Sequence, residues 1–164
     1  MKKVYLGILL ISVFSLQACF VFYTTFDIPL TDSHAGRAEV LAKEGKYQEA
    51  IDEYELHLEQ RLASESRSEG ENPYFYKLLI GDLYLELNQV DKAVEAYEVA
   101  LEREVRPGLT KERFRRLGNW YSERGEIEEG ILVLKKYREL DPLLFDLEID
   151  RLHKESLRRM EGEG

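Results

Sequence analysis

The side chains that could do chemistry are few and scattered. His34, His57 and His153 share no metal-ligand spacing, and the single cysteine, Cys19, leaves no multi-cysteine metal site and no internal disulfide. The strings G-x-S-x-G and H-E-x-x-H and the phosphate-cradling loop are all missing. Glu128-Glu129 and Glu53-x-Glu55 read as solvated helix faces, with no low-dielectric pocket to separate an acid from a base. The expectation is therefore no enzyme, no cofactor and no metal site. Surface recognition is a better use of these residues. Arg115 and Asn119 stand one helical turn apart, so both can reach one carboxylate or one stretch of peptide backbone. Phe75, Leu78 and Leu85, with Asp82 among them, would form a largely apolar strip along a neighbouring helix. A balance of −9, from 23 basic and 32 acidic residues, excludes a general nucleic-acid binder, which needs a basic face.

These residues must be positioned by the elements around them, and the first element reads as an address. Met1-Lys2-Lys3 precedes an uncharged stretch from Val4 to Phe26, and Asp27 is the first acid. A basic start, an apolar run through Leu16 and small or neutral residues after it have the order of a secretory signal. Leu16-Gln17-Ala18-Cys19 resembles the bacterial lipobox, in which cleavage occurs just before a cysteine bearing diacylglycerol. That resemblance implies a signal peptide over 1–18, lipidation at Cys19 and a tether over 19–30. The alternative is an uncleaved anchor over 4–26, long enough as a helix to span a hydrocarbon core of ~30 Å. Either places the chain from Asp27 onward outside the cytoplasm, facing the periplasm. Phe20 after the cysteine, rather than aspartate, favours outer-membrane sorting in a two-membrane bacterium, with inner-membrane anchoring as the alternative.

A repeat runs through the remainder. Gly45-Lys46-Tyr47-Gln48-Glu49-Ala50-Ile51-x-x-Tyr54 recurs as Asn88-Gln89-Val90-Asp91-Lys92-Ala93-Val94-x-x-Tyr97, and again from Gly125 to Leu134. Upstream, Ile80-Gly81-x-x-Tyr84 matches Leu117-Gly118-x-x-Tyr121. The pattern resembles the tetratricopeptide repeat, W-x2-L-G-x2-Y, then A-x3-F, then P, with Phe114 in the tryptophan place and Leu140-Asp141-Pro142 closing the third unit. Small residues (Ala38, Gly81 and Gly118 on the first helix; Ala50, Ala93 and Gly130 on the second) mark the close approach of two antiparallel helices. Equivalent positions lie more than the family's ~34 residues apart. The excess belongs in the polar segment 63–72 and around Arg106-Pro107-Gly108. His34 and Arg37 stand in normally apolar places of the first unit.

The expected fold is all-α: an antiparallel helix-pair solenoid of about three repeats over 31–142. Helices are predicted near 33–44, 47–62, 73–87, 91–104, 110–124 and 127–140. A capping helix over 143–160, started by Asp141 and Pro142, should present a polar outer face, and the tail 161–164 should be disordered. The resemblance implies a concave face lined by the first helix of each unit. It carries Ala35, Glu39 and Ala42, then Phe75, Leu78, Asp82 and Leu85, then Arg115, Asn119 and Ser122. Glu39 and Asp82 stand where the family's carboxylate clamp would have asparagine, which speaks against that clamp. The functional expectation is a membrane-tethered scaffold binding a protein or peptide in a bacterial envelope. It would be similar to repeat lipoproteins that assist pilus, secretin or barrel assembly. A self-associating structural subunit is the alternative.

Overall fold

The structure is a computed structural model, and it describes residues 32–162. The signal segment, Cys19, the tether and the last two residues lie outside the described residues. Among the described residues seven α-helices follow one another: α1 (His34–Lys43), α2 (Tyr47–Ala63), α3 (Phe75–Glu86), α4 (Val90–Glu102), α5 (Pro107–Glu123), α6 (Ile127–Lys136) and α7 (Pro142–Gly162). A 3-10 turn over Arg138–Leu140 joins the last two. Among the described residues no strand occurs, and no helix is long and apolar enough to cross a membrane.

Three helix pairs repeat in geometry as well as in sequence. At the turn inside each pair, Gly45, Asn88 and Gly125 take φ of +76°, +56° and +83°. The next amide in each case reaches back to the helix: Lys46 N to Leu41 O at 2.9 Å, Gln89 N to Tyr84 O at 2.9 Å and Glu126 N to Tyr121 O at 3.0 Å. This is the left-handed helix stop, and Gly45 and Gly125 are there because a Cβ is costly at such φ. Asn88 is the kind of side chain that tolerates it.

Each helix packs on its sequence neighbours, and α3 also touches α5, as α5 touches α7. The core falls into two clusters shared between units. Ile80 and Leu83 of α3 join Ala38, Ala50, Ile51 and Tyr54, whereas Leu78 and Leu85 join Tyr97, Phe114, Leu117 and the inner side of α7. Helix α3 is therefore apolar on two flanks, as the interior helix of a solenoid must be. A Cβ on Gly130 would stand 3.0 Å from the Gly118 carbonyl oxygen, so the second helix of unit three approaches the first closely enough to want no side chain. That contact is the compensation for its poor helix propensity.

Several boundaries differ from expectation for identifiable reasons. Helix α5 begins at Pro107 rather than 110, because proline at the first helical position has its φ already set and no amide to lose. Helix α6 stops at Lys136 and tightens into the 3-10 turn. Helix α7 runs on to Gly162, two residues into the segment expected to be disordered. Unit one replaces apolar packing by polar contacts: His34 Nδ1 lies 2.6 Å from Glu53 Oε2, and Arg37 Nε donates to the same oxygen at 3.1 Å. The 64–74 connection is pinned by Arg61, whose Nε and Nη2 meet both oxygens of Glu71 at 2.7 and 2.5 Å, and by Asn72 Nδ2, which donates to Arg103 O at 2.7 Å. The outer face of α7 is also a correction. It is mixed rather than uniformly polar, with Leu143, Leu147 and Leu157 exposed beside Asp150 and Lys154.

Candidate functional site

The interface of α3 and α5 carries a depression at each end. One, of about 630 Å³, lies at the helix N-termini between Pro73, Phe75, Tyr76, Val105, Pro107 and Leu109. The other, of about 260 Å³, lies toward the C-termini between Asp82, Leu85, Glu86, Arg116, Asn119, Trp120 and Glu123. Phe75 and Leu85, one beside each, are separated by about 15 Å of helix axis.

The residues expected to form one continuous strip are divided by the packing. Phe75 is 37% exposed and lines the first depression. Leu78 is completely buried against Phe114 and Leu117, so it offers nothing to a partner. That is a correction, and its cause is that the next unit occupies this flank of α3. Leu85 is mostly buried and shows only an edge to the second depression. Asp82 is a joint between units: its Oδ1 accepts from the Tyr97 hydroxyl at 2.8 Å and its Oδ2 from Arg113 Nη2 at 3.0 Å. Burial first, and then the Asp82 charge, push the Tyr97 hydroxyl pKa far upward, so it stays a donor.

Arg115 and Asn119 already have protein partners, although Asn119 also lines the second depression. Arg115 donates to both carboxylate oxygens of Glu112 at 3.0 and 2.7 Å, and its Nη1 lies 3.6 Å from Glu148 of α7. Asn119 Oδ1 accepts from Arg151 Nη2. Ser122 is buried and donates to Glu155 Oε1 at 2.8 Å, while Arg159 Nη2 reaches Ser122 O at 3.0 Å. Glu148, Arg151, Glu155 and Arg159 thus form one row of α7 that covers the flank of α5 carrying all three expected residues. The Arg115 guanidinium holds the Glu112 carboxyl below the usual carboxylate range. In unit one Glu39 is exposed, and Ala35 and Ala42 pack half-buried on the first cluster.

Two features of these depressions were not among the expected residues. Trp120 walls the second depression with Arg124 stacked 3.7 Å from its ring centroid, a cation–π contact. Arg124 is held there by Asn88 Oδ1, which accepts from Nη2 at 2.8 Å and from Nε at 3.3 Å. Leu109 and Tyr76 line the first depression. The signal available was the single tryptophan, adjacent to Asn119. The histidines stay apart: His34 is on Glu53, His57 packs edge-on to Tyr76 at 4.5 Å with its pKa lowered by burial, and His153 is exposed on α7. No group of His, Cys, Asp or Glu suited to a metal ion occurs among the described residues.

With this geometry in view, residues 76–104, the span from α3 through the end of α4, match the family model of the tetratricopeptide repeat. The match covers one of the three helix pairs. The two other helix pairs share its turn geometry, and the described residues form an all-helical repeat array. No curated protein matches the chain. Repeats of this family are protein-interaction scaffolds, and stacked helix pairs create extended binding surfaces.

Proposed function

We infer that this protein is a non-enzymatic, membrane-tethered scaffold that holds an extended segment of a protein partner on the α3–α5 face in a bacterial envelope. The observation that carries the reading is the pair of depressions at the two ends of one repeat–repeat interface. The intervening stretch is closed by Leu78 and by the Asp82–Arg113 bridge. A span of about 15 Å suits four or five extended residues at about 3.3 Å each. An apolar side chain would enter beside Phe75, Tyr76 and Leu109. A basic side chain suits the other end, where Glu86 and Glu123 outnumber the outward-facing Arg116. Three repeats limit the buried area and the partner must be ordered, so micromolar affinity, about −8 kcal/mol, is expected.

The tether is supported by Leu16-Gln17-Ala18-Cys19 after an apolar run, with the lipid on Cys19 and outer-membrane sorting as the preferred form. An uncleaved span over 4–26 is its alternative. The self-associating reading draws support from the outward leucines of α7. The test of the scaffold reading is recovery of partner from the native envelope by the wild-type chain and by Phe75→Glu and Glu86→Lys, both at exposed positions. Both substitutions should release the partner with helicity unchanged. Undiminished recovery by both would place binding elsewhere.

A further inference from the structure

Helix α7 has two sides with different occupants. Its inner side, Phe145, Glu148, Ile149 and Leu152, is buried on α5 and α6. On the opposite side Leu143, Leu147 and Leu157 are 73%, 62% and 54% exposed. With Asp150 and Lys154, which are also exposed, they fall at successive steps of four, three, four and three residues. This is the heptad seam along which one helix packs on another. Nothing among the described residues covers it.

We propose that this face pairs with the same face of a second copy, antiparallel about a two-fold axis level with Leu152. Reversing the helix about that point exchanges Asp150 with Lys154 and Leu147 with Leu157. In an isologous contact the Asp150 of each copy therefore meets the Lys154 of the other, and Leu147 meets Leu157 on either side of that charged centre. The seam is complementary to itself in this register and in this direction. A parallel pairing would set Asp150 against Asp150 and Lys154 against Lys154, which like-charge repulsion disfavours. Leu143 lies level with Glu161 of the second copy, close to the 63%-exposed Met160, so each end of the seam is also partly apolar. Three leucines per copy make a small contact, below the area of a standard stable interface. Confinement of both copies to one membrane would raise their effective concentration. The seam shares no residue with either depression between α3 and α5, and it supplies a specific surface for the self-associating alternative.

The test is a charge-reversal cycle on the full chain, reconstituted in vesicles with two fluorescent labels and read by energy transfer between copies over a dilution series. Asp150 and Lys154 are exposed, so their substitution leaves the fold intact. Asp150→Lys alone and Lys154→Asp alone should each weaken association tenfold or more, and the double exchange should restore it. A wild-type chain that stays monomeric at all densities overturns the proposal, whether the N-terminal 31 residues or another protein covers the face. Association that ignores both single reversals also overturns it and assigns the contact to another part of the chain.

Discussion

The Tyr97 hydroxyl donates to Asp82 at 2.8 Å, tying the second helix of unit two to the first, while Arg113 of unit three takes the other carboxylate oxygen. One aspartate therefore joins a helix pair internally and to its successor. Asp82→Ala leaves a buried hydroxyl and a largely buried guanidinium without their acceptor. The expected cost is about 1–3 kcal/mol, read as a lowered urea midpoint. An unchanged midpoint would mean that Asp82 is not part of the joint.

Gly81 and Gly118 are equivalent in sequence but differ in what faces them. A Cβ on Gly81 meets the ring of Tyr97, with Cδ1 at 2.7 Å, and that ring is buried and anchored by Asp82. On Gly118 it meets Leu134 Cδ1 at 2.7 Å, the movable end of an aliphatic side chain. Gly81→Ala should cost more than Gly118→Ala, within an overpacking range of about 1–3 kcal/mol. Thermal melts of the two variants decide the order.

Stability should fall at alkaline pH. Burial, and then Glu39, push Tyr54 up to about 12, and burial, then its bond to Glu98, push Tyr137 up to about 12. Their ordinary pKa lies near 10, so above that value the unfolded chain releases protons that the folded chain keeps. The stabilisation is complete below pH 10 and is lost as pH rises toward 12. Carboxylates behave oppositely: Arg37 and then His34 hold Glu53 low, and Arg61 holds Glu71 low. Their contribution is present above the usual carboxylate range and fades as pH falls through it. These pairs are only half-buried and are screened by solvent, so the acid effect is the smaller one. Urea titrations from pH 3 to 12 check both signs.

How much of this was legible depended on which physical constraint leaves a residue-level mark. Close helix approach excludes side chains, so Gly81, Ala93 and Ala50 announced the helix pairs, and the left-handed turns at Gly45 and Gly125 announced where they fold back. Burial direction left no such mark. Leu78 and Phe75 are both apolar on one helix, yet one faces Phe114 and the other faces solvent, because an interior repeat helix packs on two flanks. Arg115 and Asn119 read as an open pair, since their partners Glu148 and Arg151 lie on a helix whose charges look solvated in sequence. The leucines of α7 were visible, but not that three of them point outward.

The tether has its own test. Cys19→Ala should abolish incorporation of labelled lipid and leave unprocessed precursor. Equal mobility of the two proteins, with neither taking up label, would assign residues 4–26 to an uncleaved anchor.

The most direct measurement is site-specific photocrosslinking in the native envelope, with the reactive side chain at Glu123 in the second depression or at Glu59 on α2 as control. Both positions are exposed, so both proteins should fold. A partner held on the α3–α5 face predicts one discrete adduct from Glu123, lost on Phe75→Glu, and none from Glu59. The same adduct from both positions, or from Glu59 alone, would contradict that assignment.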